Sequence, residues 1–325
     1  MNKTNNTYKI IFFGTPEFAV QSLQALHEAN FDIAAVVTVA DKPAGRGRKL
    51  RESAVKKYAQ KHDLTLLQPT NLKSPDFTNE LKRLKPNLQV VVAFRMLPEV
   101  VIDIPKDGTV NLHASLLPQY RGAAPINHAI MQGEKETGVT TFFINQKIDT
   151  GNILFQEKEK IDENDTAGSL HDKLMLTGAK LLKHTAERIM SADYETKKQR
   201  DLFPKDAELK KAPKLYKENC YINFSRKTQD VYNFIRGLSP YPNSRFILKN
   251  KETNDALLCQ IIQSEPVYNS EGGPSKRIKT DNKKYLKIAT EDGYLSIHKL
   301  KPQGKRTMDI ASFLNGFNIN DYIVV

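Results

Sequence analysis

Only two cysteines, Cys220 and Cys259, occur in the 325 residues. They form no CxxC pair and have no histidine pattern beside them, which argues against a zinc site or a disulfide framework and leaves two ordinary thiols. No apolar run approaches the roughly 18–20 residues needed to cross a bilayer. The first nine residues are polar and rich in Asn and Thr, without the apolar centre of a secretory signal, so a cytoplasmic location is expected. No internal repeat is found. The first strand–helix turn reads Gly14-Thr15-Pro16-Glu17 and lacks the GxGxxG fingerprint, so no dinucleotide cofactor is inferred. No metal is implied.

What the chain has in excess is positive charge. Lys and Arg number 49 against 37 Asp and Glu, a net +12, and the pI is about 9.4. The excess is densest at residues 206–325, with about 20 cations to about 13 acids. Such a surplus favours a polyanionic partner. The length allows two domains, each with its own core, and an apolar fraction of 39% excludes wholesale disorder.

Apolar runs alternate with amphipathic segments over the first two-thirds. Strands are expected at residues 8–13, 33–39, 64–67, 88–94 and 109–112, and an antiparallel pair at 139–144 and 153–157. Thr15 as cap, Pro16 at the first position and Glu17 in the first turn open a helix whose apolar face is Phe18, Val20, Leu23 and Leu26. Further helices are expected at 53–62, 75–85 and 166–191. The order predicts an α/β, Rossmann-like doubly wound N-terminal domain. A polar stretch at 193–217 reads as a linker. Beyond it, a helix at 228–238 and short runs at 246–248, 257–262, 286–289 and 294–300 predict a C-terminal OB-like β-barrel. Residues 270–284 read as a polar hairpin loop or insertion. The expected domains are 1–206 and 207–325.

The chemistry concentrates in Asn111-Leu112-His113-Ala114-Ser115-Leu116-Leu117-Pro118 and in Asp149-Thr150-Gly151 one βα unit later. Loops at the ends of apolar strands are where an open α/β sheet places its site. Asn111 and His113, two apart, face the same side of an extended strand. An amide can donate to a developing oxyanion, an imidazole can donate or take a proton, and Asp149 can orient and charge that imidazole. None of the three is a strong nucleophile, so the set suits group transfer. A second segment, residues 41–50, is a glycine-rich loop carrying Lys42, Arg46, Arg48 and Lys49. Supple backbone with several cations suits a phosphate-rich ligand, although a solvated surface loop has the same composition.

Residues 111–118, the run Tyr120-Arg121-Gly122-Ala123-Ala124-Pro125-Ile126 and Ile148-Asp149-Thr150-Gly151 together resemble the 10-formyltetrahydrofolate-dependent formyltransferases. The resemblance implies catalytic roles for Asn111, His113 and Asp149 and a folate-binding role for Ser115, Leu116, Leu117 and Pro118. It implies 10-formyltetrahydrofolate as co-substrate. The 41–50 loop resembles one inserted in the tRNA-acting members of that family, where the position of Arg46 serves tRNA recognition. Lys42, Arg46, Arg48 and Lys49 are accordingly the expected tRNA-binding set, the partner a methionine-charged initiator tRNA, and the chain a monomer. Tyr216, Tyr221 and Phe224 are candidates to stack on bases, with core packing the commoner role for such aromatics.

Three places depart from the family's usual pattern, one of them Phe224 in place of a frequent Trp, a conservative change in packing. Phe94-Arg95 replaces an aromatic-Gly pair near the expected folate pocket, where Arg95 either reshapes the edge or meets the acidic tail. Asn243 stands where glycine is commoner, and Asn tolerates positive φ. The same residues are compatible with two other functions: a formyltransferase for a small-molecule amine, and a catalytically inactive RNA-binding relative. A small acceptor needs neither the cationic loop nor a basic barrel, and an inactive domain has no need of all three polar residues.

Overall fold

The computed structural model describes residues 8–44, 49–204, 208–268 and 275–325. Contacts divide the chain into two compact units. The first runs up to Gly122 and takes in Glu136–Lys160 and His171–Lys211; the second comprises Ala123–Lys135, Ile161–Leu170 and Ala212–Val325. Two segments that precede residue 207 in the chain thus cluster with the C-terminal unit.

The first unit is built on seven strands in the spatial order Ile153–Lys160, Glu136–Phe143, Thr109–His113, Leu88–Val92, Lys9–Gly14, Asp32–Val37, Leu66–Leu67. The last five are mutually parallel. The first two join antiparallel, as the sequence implied for residues 139–144 and 153–157. All five residues of Leu88–Val92 are buried, as a strand covered on both faces requires. Its one polar member, Gln89, accepts a hydrogen bond from Thr109 Oγ1 at 3.2 Å. The order reverses between Lys9–Gly14 and Leu88–Val92. That switch point, at the carboxyl ends of the strands, is where open sheets receive ligands.

Local chemistry accounts for the first turn. A Cβ on Gly14 would lie 2.7 Å from the Ala19 Cβ, so glycine permits the close approach of strand and helix. The helix Glu17–Glu28 buries Phe18, Val20, Leu23 and Leu26. The expected Thr15 cap is not formed: Pro16 holds the cap position without a side-chain bond, and its carbonyl accepts from Ala19 N at 3.0 Å. Ser53 does cap its helix, accepting from Lys56 N at 3.0 Å. In the long helix Ala167–Met190, Leu170, Leu174, Leu181, Leu182 and Ile189 are buried as their spacing demands.

The second unit holds antiparallel strands in the order Ile278–Thr280, Leu286–Ala289, Gly293–Pro302, Ala256–Tyr268, Ser244–Asn250, Tyr322–Val324, with Met308–Asp309 added to Gly293–Pro302. Register shifts at Ile261/Gln263 and Gln263/Ser264 interrupt the longest ladder; such irregularities bend a strand and let a sheet coil. The core joins Phe246, Cys259, Ile261, Ile288 and Leu295 to Val231 and Ile235 of the helix Thr228–Gly237. This is the small β-barrel the short strands predict. Part of the expected 270–284 loop is the strand Ile278–Thr280; residues 269–274 lie outside the described residues. Asn243 has φ 66°, the conformation anticipated for an Asn in the position of a glycine.

Both cysteines are free and buried. Burial pushes the Cys259 thiol up to about 12 and raises Cys220 as well. A thiol that high carries almost no thiolate at neutral pH. An aromatic disulfide reagent is therefore expected to label neither residue in the native protein and both after denaturation. Rapid native labelling at pH 7 would contradict this placement.

Candidate active site

Asn111 and His113 lie at the end of the strand Thr109–His113, while Val110 and Leu112 point into the core. His113 is 8% exposed, and its Nε2 is 2.9 Å from the Tyr120 carbonyl. A carbonyl can only accept, so Nε2 carries a proton and Nδ1 is the free base of the neutral ring. Nδ1 faces Asp149, with Oδ2 at 3.8 Å. That is too long for a hydrogen bond. The Tyr120 carbonyl, rather than Asp149, sets the imidazole tautomer. The Asn111 amide finds no hydrogen-bond partner among the described residues.

Asp149 sits in the left-handed region, with φ 52°, which costs an L-residue about 1–2 kcal/mol. Its Oδ2 accepts from the Gly122 N–H at 2.9 Å. Gly122 itself has φ 127°, a conformation open to glycine alone. Two residues on, a Cβ at Gly151 would stand 1.6 Å from the Phe143 carbonyl oxygen. Between them Thr150 Oγ1 donates to Asn145 Oδ1 at 2.9 Å. The Asp-Thr-Gly run therefore has a steric cause: a hydroxyl ties the loop and a glycine lets it pass beneath the neighbouring strand.

The loop after His113 is framed by buried polar groups. Thr140 Oγ1 donates to the Ser115 carbonyl at 2.6 Å and accepts from Leu117 N at 3.1 Å and Gln156 Nε2 at 2.9 Å. Ser115 Oγ donates to the Gln119 carbonyl at 2.7 Å. Leu117 packs with Phe142 and Ile153, and the peptide between Leu117 and Pro118 is cis. These bonds curl the chain so that the Tyr120 carbonyl returns to His113. Arg95 donates to the carbonyls of Pro69 and Thr70 at 2.6 and 3.1 Å, which ties the loop after Leu88–Val92 to the one after Leu66–Leu67.

Of the cationic loop, Arg46 and Arg48 lie outside the described residues, as do the side chains of Lys42 and Lys49. The backbone of Lys42–Ala44 pairs antiparallel with Lys49–Arg51. The preceding Asp41 accepts from Lys56 Nζ and from Gln68 Nε2, which hold its carboxyl below the ordinary value, the Lys56 bond foremost.

Sequence reasoning named Asn111, His113 and Asp149 and missed what holds them. Tyr120 acts through its carbonyl and Gly122 through its N–H, so side-chain chemistry gives no sign of either. Gln199 lies in a stretch read as linker, yet it is buried and bonded to the Asp149 loop. Among the described residues, no group of three or more His, Cys, Asp or Glu is placed to hold a metal ion.

The chain belongs to the formyl transferase family: the family profile "Formyl transferase" matches residues 8–185, and "Formyl transferase, C-terminal domain" matches 214–318. Within the family, relatives 44–47% identical over nearly the whole chain are methionyl-tRNA formyltransferases. That of Flavobacterium johnsoniae is 47% identical over 313 residues, 96% of this chain and 97% of the relative. That of Bacteroides thetaiotaomicron is 45% identical over 313 residues, with the same coverage. Among solved structures, the sugar 3N-formyl transferase WlaRD, in the presence of dTDP and 5-N-formyl-THF, shares the fold at TM-score 0.64 and 23% identity, over 92% of this chain and 99% of that one. The N-formyltransferase of Helicobacter canadensis, complexed with folinic acid and dTDP-3-aminofucose, matches at TM-score 0.64 and 23% identity, over 89% and 98%.

Proposed function

We propose that this chain transfers the formyl group of 10-formyltetrahydrofolate to the α-amino group of methionine on initiator tRNA, in the cytoplasm. The observation that carries the mechanism is the imidazole of His113, with one nitrogen committed to a backbone carbonyl and the other turned toward a carboxylate. The donor set suits such a co-substrate: an amide free to donate, a single available base and a fixed negative charge. When bound, the folate supplies a formyl carbon on a weakly basic nitrogen. The Asn111 amide then donates to the formyl oxygen as negative charge builds there. His113 Nδ1 takes the proton released as the amine becomes an amide. Asp149 balances the resulting imidazolium. The proton passes to the departing folate nitrogen, and the carbon–nitrogen bond to the folate breaks.

Ser115, Leu116, Leu117 and Pro118 serve this site mainly as its wall. The Ser115 hydroxyl and carbonyl and the Leu117 N–H and carbonyl are already bonded within the protein, so we assign these residues to shaping the folate pocket. We assign tRNA contact to Lys42, Arg46, Arg48 and Lys49 together with the basic barrel. In that unit Phe224 is core, whereas Tyr216 and Tyr221 are 56% and 45% exposed, which supports base stacking for the two tyrosines alone.

The test is transfer of labelled formyl from 10-formyltetrahydrofolate to charged initiator tRNA, with charged elongator and uncharged tRNA as controls. Transfer to the charged initiator alone is expected. Failure with every tRNA while folate still binds would redirect the search to small-molecule amines. Arg46→Ala is expected to lower kcat/KM for tRNA and leave folate affinity unchanged; equal loss on both substrates would remove Arg46 from the tRNA-binding set.

A further inference from the structure

Gln199 begins the short 3₁₀ turn Gln199–Leu202 in a polar stretch, yet its side chain is only 3% exposed. A glutamine amide has two donor hydrogens and two acceptor lone pairs, and here all four are used. Nε2 donates to the Asp149 carbonyl at 2.9 Å and the Gly151 carbonyl at 2.8 Å. Oε1 accepts from Arg121 Nε at 3.0 Å and Nη2 at 2.6 Å. The next residue, Gly122, donates its N–H to the Asp149 carboxylate. The contacts close a circuit: glutamine to the Asp149 backbone, Asp149 carboxylate to Gly122, Gly122 through its peptide to Arg121, and Arg121 back to the glutamine. The segment is itself held in place, since Lys197 and Ile153 exchange backbone hydrogen bonds at 2.8 and 2.9 Å.

We infer that Gln199 is a positioning residue for formyl transfer: with Arg121 it clasps the Asp149 loop in its left-handed conformation and holds the carboxylate at its distance from His113. The inference rests on the role proposed above for Asp149. The left-handed backbone at Asp149 is uphill for an L-residue and stays populated only where its surroundings over-determine it. Both carbonyls that Gln199 binds lie within three residues of chain, and Oδ2 is the oxygen that faces the ring. With those two bonds gone, the loop is free to relax and carry the carboxylate away from Nδ1. Misplacement of a reacting group by about 1 Å costs about 10²-fold in rate.

The test is a double-mutant cycle on kcat in the full chain, using wild type, Gln199→Leu, Asp149→Asn and the double variant. Gln199→Leu is expected to lower kcat by about 10–100-fold, with KM for folate and tRNA changed less than about threefold. In the Asp149→Asn background the same change is expected to cost less than about threefold, because a residue acting through Asp149 has nothing left to position. Gln199→Glu repeats the cycle with an acceptor retained for the half-buried Arg121 and only the donors removed, and the same coupling is expected. It provides the reading should the leucine variant fail to fold. Full multiplication of the two losses in the cycle, or wild-type kcat in a folded Gln199 variant, would overturn the clasp while leaving the function intact. A wild-type chain that transfers no formyl group at all would overturn the functional reading and the clasp with it.

Discussion

Replacing His113 with alanine is expected to lower kcat by about 10²–10⁴-fold, the range that a positioned general base contributes. The loss follows from the commitment of its two nitrogens. Nε2 is bound to the Tyr120 carbonyl, so Nδ1 alone is left to receive a proton, and it sits within the field of Asp149. Alanine also leaves a buried carbonyl without its donor, at a stability cost of about 1–3 kcal/mol. His113→Gln separates the two effects: its amide can supply a donor toward Tyr120 but cannot accept a proton at neutral pH. The glutamine variant is expected to regain much of the lost thermal stability and none of the turnover, with tRNA binding intact. Near-wild-type turnover in either variant would remove His113 from the chemistry.

Asn111→Ala is expected to lower kcat by about 10²–10³-fold, the cost of one lost oxyanion donor. Its effect on stability should be small, within about 0.5 kcal/mol, because the amide makes no bond to the described residues that its removal could break. The two variants are thus opposite in kind. His113 is held by the fold and its loss disturbs both fold and rate; Asn111 is held by its strand alone and its loss disturbs the rate. Stopped-flow turnover beside thermal melts reads both quantities. A fall in Tm as large as that of His113→Ala would show Asn111 to be a packing residue.

The elements that could be read without coordinates are those whose cause is local. Period-four burial along Glu17–Glu28 and Ala167–Met190, and the wholly apolar Leu88–Val92, follow from side chains that leave water on one face or on both. The three candidate polar residues could be singled out for a related reason, since short loops at strand ends are where an open sheet exposes chemistry. The helix starts at Glu17, one residue later than a Thr15 cap implies, because Pro16 is itself extended and takes the cap position. The linker reading of 193–217 overlooked Gln199 because nothing in a polar run marks one amide as buried; its four partners come from residues 121, 149 and 151.

The sequence by itself determined the doubly wound order, the barrel of short strands and the basic surplus, and it singled out Asn111, His113 and Asp149 as candidates. Those follow from periodicity, turn chemistry and charge, which act between near neighbours in the chain. Only the tertiary structure decided which imidazole nitrogen is bonded and which is left open, and what holds Asp149 in its left-handed conformation. Those answers depend on backbone groups at Tyr120, Gly122 and Gly151 and on a glutamine fifty positions away. A carbonyl or an N–H is the same at every residue; only folding gives it a partner.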